Sequence, residues 1–436
     1  RSGSVVVSRL PLPPRGGDAL DALLLDATVK GVPEGAGPVR LGDVGAQGWT
    51  LLRGDLPLPA AVLRRDRLLA NAAWMKALAE ENGLKLAPHG KTTMAPQLFA
   101  LQLEEGAWAI TVATTQQLAV ARRFGAPRVV LANQPVGRPA IDACFAALAD
   151  TELYCLADSP EGVAALADGA RRAGAARPLR VLVEVGVAGG RTGARTPEAA
   201  VAVARAVAAA PGLSLSGIEC FEGILPDVPA VDRLLDAVLA VAESCAAEGL
   251  FGDGPVVLSA GGSAFYDRVG ERLGSAAFGG RETIKLLRSG CYLTHDSIGY
   301  DAAFRRILGE ARLALPPGRL EPALEVWAHV QSRPEPGRTI LTMGKRDVSH
   351  DAGLPVPLLW FRPGAMDRPE PMPRGHVVLA LNDQHCHLGT PGESPLSVGD
   401  MVAFGIGHPC TTFDKWGLLM VVDPDYTVVD AVRTFF

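Results

Sequence analysis

What this chain lacks narrows its function before any motif is read. No uninterrupted apolar stretch approaches the roughly 18–20 residues a membrane span requires. The longest apolar segments, such as residues 201–209, are alanine-rich and read as helices packed on a core. There is no basic cluster: 42 Lys and Arg stand against 47 Asp and Glu, for a net charge of −5. Nucleic acid and membrane surfaces are therefore not expected partners. Cysteine is sparse and odd in number, seven residues at 144, 155, 220, 245, 291, 386 and 410, with no Cys-x-x-Cys spacing. That pattern predicts reduced thiols and a cytoplasmic setting, with some thiols free to bind metal. Residues Arg1 to Arg15 lack a basic head, a long apolar run and a small-residue cleavage site, so no secretory leader is expected there. Internal repeats and low-complexity linkers are also missing.

What is present is a long alternation. After a proline- and glycine-rich N-terminal segment, residues 1–57, with one helix expected over 19–29, a strand at 60–64 leads into an amphipathic helix over 66–82. Short apolar, strand-like runs follow at 84–89, 107–112, 128–131, 152–156, 179–185, 213–220, 255–259 and 283–287. Ala- and Leu-rich helical segments separate most of them. Eight such strands close a parallel barrel more naturally than they fill an open doubly wound sheet, the competing arrangement. Beyond Leu315-Pro316-Pro317-Gly318 helical periodicity stops. Runs at 324–331, 339–343, 376–381, 400–404, 416–422 and 427–432, divided by Gly, Pro and Asp, read as β structure. The expected architecture is an α/β fold: a (β/α)8 TIM-like barrel over 58–315, followed by a smaller β domain over 316–436. Residues 1–57 are expected to pack on the latter.

Barrels of this kind keep their chemistry past the carboxyl ends of the strands. Strand one is followed there by Pro88-His89-Gly90-Lys91-Thr92. An amine held among apolar walls loses hydration and becomes a usable nucleophile. Strand five is followed by Gly190-Arg191-Thr192-Gly193, strand seven by Ala260-Gly261-Gly262-Ser263, and strand eight by Arg288-Ser289-Gly290-Cys291-Tyr292. Glycine-rich backbone with a hydroxyl after strand seven, and a further glycine after strand eight, is how a barrel builds a phosphate pocket from N–H groups. A nucleophilic Lys91 opposite a phosphate cradle at Gly261, Gly262, Ser263, Gly290 and Cys291 suggests pyridoxal 5′-phosphate, with Arg288 placed to meet the pyridine nitrogen. Schiff-base aldolases of the sugar-phosphate type also use a barrel lysine, but on a late strand.

Pro88-His89-Gly90-Lys91-Thr92 resembles the cofactor-lysine motif of the fold-type III pyridoxal-phosphate enzymes. More narrowly, the chain is similar to the D-serine dehydratase / D-threonine aldolase group from about residue 57 through its C-terminal domain. The resemblance implies a cofactor site drawn from Lys91, His89, Arg191, Gly261, Gly262, Ser263, Arg288, Gly290, Cys291 and Tyr292. It also bears on Gly407-His408-Pro409-Cys410-Thr411-Thr412. In an extended segment His408 and Cys410 would face one side together, and imidazole with thiolate favours Zn²⁺ over Mg²⁺ or Ca²⁺; the segment matches that group's metal motif. His385, in Asp383-Gln384-His385-Cys386-His387, falls where the group has a histidine near the metal, and His387 is a second candidate to complete the ion's shell or orient substrate. Residues 345–347 and 351–353 resemble another segment of the group and are assigned a structural role. Two departures stand out: Phe221 where a tyrosine is expected to face the cofactor, and Ile224 where a histidine often follows.

The implied activity is a dehydratase, or deaminase, acting on D-3-hydroxy amino acids to give a 2-oxo acid and ammonia. The same constituents permit retro-aldol cleavage to glycine and an aldehyde; aldolases of the group often carry a carboxylate where Cys410 stands, which favours dehydration. Racemisation needs no metal, and a non-catalytic cofactor carrier would be a barrel without residues 316–436. The family's habit of completing one subunit's site with its partner's β domain implies a homodimer.

Overall fold

A computed structural model describes residues 9–436; the expectation concerning residues 1–8 of the leader region lies outside them. Eight parallel strands form one sheet: Lys85–Leu86, Ile110–Val112, Arg128–Leu131, Glu152–Ala157, Leu179–Val185, Leu213–Cys220, Val256–Ala260 and Thr283–Leu287. In space the first strand neighbours the eighth, and the others follow in chain order to the second. Between strands one and two the ring is closed by a His89–Thr111 bridge and by Trp108 N–H donating to Leu86 O at 2.7 Å. The TIM-like barrel read from the sequence is therefore the fold. Strand five, Leu-Arg-Val-Leu-Val-Glu-Val, shows why: β-branched and leucine side chains are buried on both faces, as a parallel strand between helices and barrel interior demands.

Strand alternation then divides inside from outside. Ala87, Ala109, Val130, Tyr154, Leu156, Leu182, Val257, Ile284 and Leu286 form a separate apolar cluster that plugs the interior. Each fully buried Leu or Val in it contributes about 1.5–3 kcal/mol. Two residues further along the same strands, the inward positions turn polar. Glu184 pairs in register with Glu219, and Glu219 with Ser259. The apolar plug thus forms a floor, and the ionisable groups lie on its carboxyl-terminal side.

Helices coat the outside. The longest, Val228–Ala247, is capped by Asp227, whose Oδ1 accepts from Ala230 N–H at 2.8 Å, and buries Val231, Leu234, Leu235, Val238, Val241, Ala242 and Cys245 at helical spacing. No described helix is long and apolar enough to cross a membrane. The helix expected over 19–29 is cut to Gly17–Asp21. Leu24–Leu25 instead pairs with Val39–Arg40, and Asp26 Oδ1 accepts from Thr28 N–H, a local turn that competes with helix.

The second region is antiparallel, as expected beyond residue 318. Leu324–Glu335 is its spine, pairing with Arg338–Leu341, with Met401–Gly405 and with Ala60–Arg64. Val356–Phe361 and Cys386–Gly389 are strands the sequence reading passed over. Ala60–Arg64 lies early in the chain but joins this sheet, also pairing in parallel with Leu418–Val422. The N-terminal segment lies against the same sheet: Leu10 N–H donates to Asp430 Oδ2 at 2.9 Å, and Thr50 bridges Thr427.

Candidate active site

A cavity of about 330 Å³ opens past the carboxyl ends of the barrel strands, and it is lined by both regions of the chain. From the barrel come His89, Lys91, Arg191, Gly261, Gly262, Ser263, Arg288, Gly290 and Cys291; from the β region come His408 and Cys410. Its size suits a small-molecule site. A larger hollow of about 660 Å³ sits at the amino-terminal end of the strands, around Glu152 and Arg180. Two of its charged groups are engaged, Glu152 with Arg128 at 2.7 Å and Arg180 with the Asp253 carbonyl at 3.1 Å, and in barrels that end serves stability.

Lys91 follows His89 in a single 3-10 turn, Gly90–Thr92. Among the described residues its amine has no hydrogen-bond or ion-pair partner. Beneath it, burial first, then the charges of Lys91, Arg288 and Arg191, hold the His89 imidazole well below its ordinary pKa. His89 is therefore neutral, and its Nδ1 has no partner. The barrel wall carries Arg288, which donates to Ser259 Oγ at 2.6 Å and to the Cys220 carbonyl at 3.0 Å. Its Nη2 also lies 2.7 Å from Glu219 Oε2, a close charge contact without hydrogen-bond alignment. Burial, opposed by Arg288, pushes the Glu219 carboxyl up to about 8, and its Oε1 is unpartnered. Arg191 stacks on Phe221, 4.6 Å from the ring centroid, whereas Arg195 is turned onto four backbone carbonyls of its own loop.

The glycines of the cradle are there for space. A Cβ on Gly290 would lie 2.6 Å from the His89 carbonyl oxygen, 2.8 Å from His89 Cβ and 2.9 Å from Thr92 Oγ1, so the strand-eight turn presses on the lysine segment. Gly261 has φ +104°, a conformation glycine alone adopts readily. One part of the expected cradle is corrected. Gly261 and Gly262 donate their N–H groups to Glu222, at 3.0 and 2.6 Å. That carboxylate is wholly buried and must find donors; it occupies the nest in which a phosphate was expected. Ser263 remains, its hydroxyl accepting from Cys291 N–H at 3.3 Å at the cavity wall. Tyr292 does not line the cavity: it is buried against the helix side, its hydroxyl 3.4 Å from Gln102 Nε2.

His408 and Cys410 are brought together, though not as an extended pair. Pro409 starts a short helix, Pro409–Phe413, with His408 as its extended N-cap, because proline is preorganised for a first helical position. Cys410 Sγ lies 3.9 Å from Cys291 Sγ and 3.4 Å from Thr92 Oγ1, one residue from Lys91. The hydrogen bond from Cys291, ahead of those from His408 and Thr92, pulls the Cys410 thiol down to about 4. Its hydrogen bond to Cys410, ahead of one to Asp351, raises His408 to about 9. The Cys410 sulfur and the His408 ring thus stand together at the cavity wall. Among the described residues no three His, Cys, Asp or Glu side chains are already grouped around a metal position. His385 and His387 do not reach the cavity; His387 Nε2 is 2.7 Å from Asn382 Oδ1 and His385 is exposed. Asp351, read as structural, sits beside His408 with 2.5 Å between Oδ2 and Nδ1. No local signal ties the two, which stand 57 residues apart.

The residues present fit pyridoxal phosphate by their own state: a lysine amine without a partner among the described residues, a tight glycine turn beside it, and unpartnered polar atoms on His89 and Glu219.

Comparisons with known proteins agree with this geometry. Residues 323–422 match the family model described as "Putative serine dehydratase domain", and residues 63–282, half of the chain, match that of the alanine racemase N-terminal domain. The chain is 28% identical to a 3-hydroxy-D-aspartate aldolase of Paracoccus denitrificans, over 69% of this chain and 75% of the relative. Among solved structures it resembles a D-threonine aldolase from Filomicrobium marinum, with TM-score 0.72 and 22% identity, covering 89% of this chain and 97% of that one. It also resembles a cysteine-to-alanine mutant of D-threo-3-hydroxyaspartate dehydratase in the metal-free form, with TM-score 0.69, 22% identity, and coverage of 89% and 99%. With the family model matched over residues 63–282, this chain belongs to the alanine racemase N-terminal domain family of fold-type III pyridoxal-phosphate enzymes.

Proposed function

We propose that this protein is a pyridoxal-phosphate- and zinc-dependent lyase that dehydrates D-3-hydroxy amino acids to a 2-oxo acid and ammonia. The observation that carries the reading is that Lys91 and the His408–Cys410 pair line one cavity, linked through Thr92, whose hydroxyl lies 3.4 Å from the Cys410 sulfur. Bound at Lys91, pyridoxal phosphate supplies an aldehyde for the substrate's amino group and a ring that accepts an electron pair. A zinc ion held by the soft Cys410 sulfur and the His408 nitrogen supplies Lewis acidity for a β-hydroxyl.

The chain's own residues divide the remaining work. The Lys91 amine, released by substrate, takes the α-proton. Arg288, anchored by Ser259 and the Cys220 carbonyl, and Glu219 would hold the cofactor from the strand-six and strand-eight wall. Neutral His89 would add no charge to this wall of the cavity. Ser263 and the Gly290–Cys291 turn would hold the phosphate. Of the two arginines at the strand-five loop, Arg191 alone faces the cavity, because Arg195 is spent on loop carbonyls.

Retro-aldol cleavage is the second reading, favoured by the names of the Paracoccus and Filomicrobium relatives. Product analysis separates the two. Protein loaded with cofactor and zinc is incubated with D-threonine: 2-oxobutyrate and ammonia are expected, glycine with acetaldehyde would establish the aldolase instead, and neither product would overturn the substrate class. A homodimer whose β region faces the partner's cavity is part of the proposal, and sedimentation of the loaded protein tests it.

A further inference from the structure

A braced loop, to which the reaction scheme above gives no part, lies behind His408. Residues 344–353 lie against residues 407–412 through contacts from several directions. Ser349 N–H donates to Thr412 Oγ1 at 3.0 Å, and Trp416 Nε1 donates to the Asp347 carbonyl at 2.8 Å. Gly407 is so close that a Cβ on it would stand 2.7 Å from the Ala352 carbonyl oxygen. This bracing fixes the backbone on both sides of Asp351, and both carboxylate oxygens of Asp351 are then used. Oδ1 accepts from Thr411 Oγ1 at 2.8 Å; Oδ2 lies 2.5 Å from His408 Nδ1.

We propose that Asp351 is the positioning residue of the ion site, holding His408 as the Nδ1–H tautomer so that Nε2 is the nitrogen offered to the ion beside Cys410. This rests on the reading of His408 and Cys410 as ion ligands. The chemistry is general: a histidine that binds metal through one nitrogen donates the other N–H to an acceptor, which fixes ring orientation and raises ligand basicity. His408 needs such an anchor. It is an N-cap residue whose side chain is 30% exposed. A carboxylate only accepts, so it permits one tautomer, and Thr411 prevents the carboxylate from swinging away. Asp351 does not reach the cavity itself, which makes it a support and not a ligand.

Zinc affinity, measured by chelator competition on cofactor-loaded protein, tests this with the wild type, Asp351→Ala, Asp351→Glu and Thr411→Val. Asp351→Ala is expected to weaken zinc about 10–100-fold, with the visible band of the Lys91-bound cofactor unchanged. Thr411→Val should shift affinity in the same direction by less, and Asp351→Glu should recover part of the loss. Zinc binding by Asp351→Ala within twofold of wild type would overturn the proposal. Should that variant fail to fold, Thr411→Val decides: wild-type affinity there would equally count against Asp351. A wild type that takes up no zinc would instead remove the ion reading of His408 and Cys410, and the role of Asp351 with it.

Discussion

Replacing Gly290 by alanine is the sharpest test of the cofactor cradle, because the cost can be read from three distances. The new methyl would meet the His89 carbonyl oxygen at 2.6 Å, His89 Cβ at 2.8 Å and Thr92 Oγ1 at 2.9 Å. Comfortable contacts between such atoms begin near ~3.5 Å, so the neighbours must retreat by roughly 0.6–0.9 Å. Two of these atoms belong to backbone or to a Cβ, which no side-chain rotation can move. All three lie on the segment that carries Lys91. Overpacking of this kind costs about 1–3 kcal/mol. Free protein can relieve it by letting the 89–92 segment drift, whereas protein with cofactor joined to Lys91 and seated at the strand-eight turn cannot. The penalty should therefore fall on binding, weakening pyridoxal phosphate by about 5–150-fold. Titration of cofactor-free protein, followed by the visible band, reads this directly. Gly309→Ala is the control: nothing lies within 4 Å of its Cβ position, and its affinity should not change. Gly290→Ala with wild-type affinity would refute the close approach of the two loops.

Three further outcomes follow from the same geometry. Lys91→Ala should lose the visible band and all consumption of D-threonine; a wild-type band would show that another amine holds the cofactor. Cys410→Ala should keep the band but lose turnover by about two orders of magnitude, the scale of a lost Lewis acid, and retained turnover would sink the ion's role. Burial, set against Asp301, lowers His295 from 6.5 to about 4. The unfolded chain then binds a proton that the folded protein refuses, so stability is whole above about pH 6.5 and declines as pH falls toward 4, by at most about 3 kcal/mol. His295→Asn, which tolerates the positive φ at this position, should flatten that slope in denaturant titrations at pH 7, 6 and 5; an unchanged slope would clear His295 of responsibility.

Much of the barrel was legible because its rules are local. Residues 128–131, 179–185, 213–220 and 283–287 coincide with strands, since short apolar runs between helical segments leave the backbone little choice. The same alternation that buried Leu182 and Val257 turned Glu219 and Arg288 inward, above the apolar plug. Lys91 was readable for a related reason: a strand that ends at a barrel's carboxyl face leads its next residues into the mouth. The helix expected over 19–29 failed where pairing partners, Leu24–Leu25 with Val39–Arg40, overrode a weak propensity.

What the sequence could not supply were relations between distant segments. Glu222 was one residue of a loop until folding put it under the N–H groups of Gly261 and Gly262, 39 and 40 positions away. Cys291 and Cys410, 119 residues apart, meet only because the β region closes over the barrel mouth. Tyr292, next to a cavity residue, points away from it, since neighbours along a chain face different ways. Periodicity and residue type determined by themselves which elements form, and that a lysine and a His-x-Cys pair would stand in the barrel mouth and the β region. Which donors are already taken, which carboxylate meets His408, and which arginine faces the cavity were decided by the tertiary structure alone, because each depends on what packing brings close to a given atom.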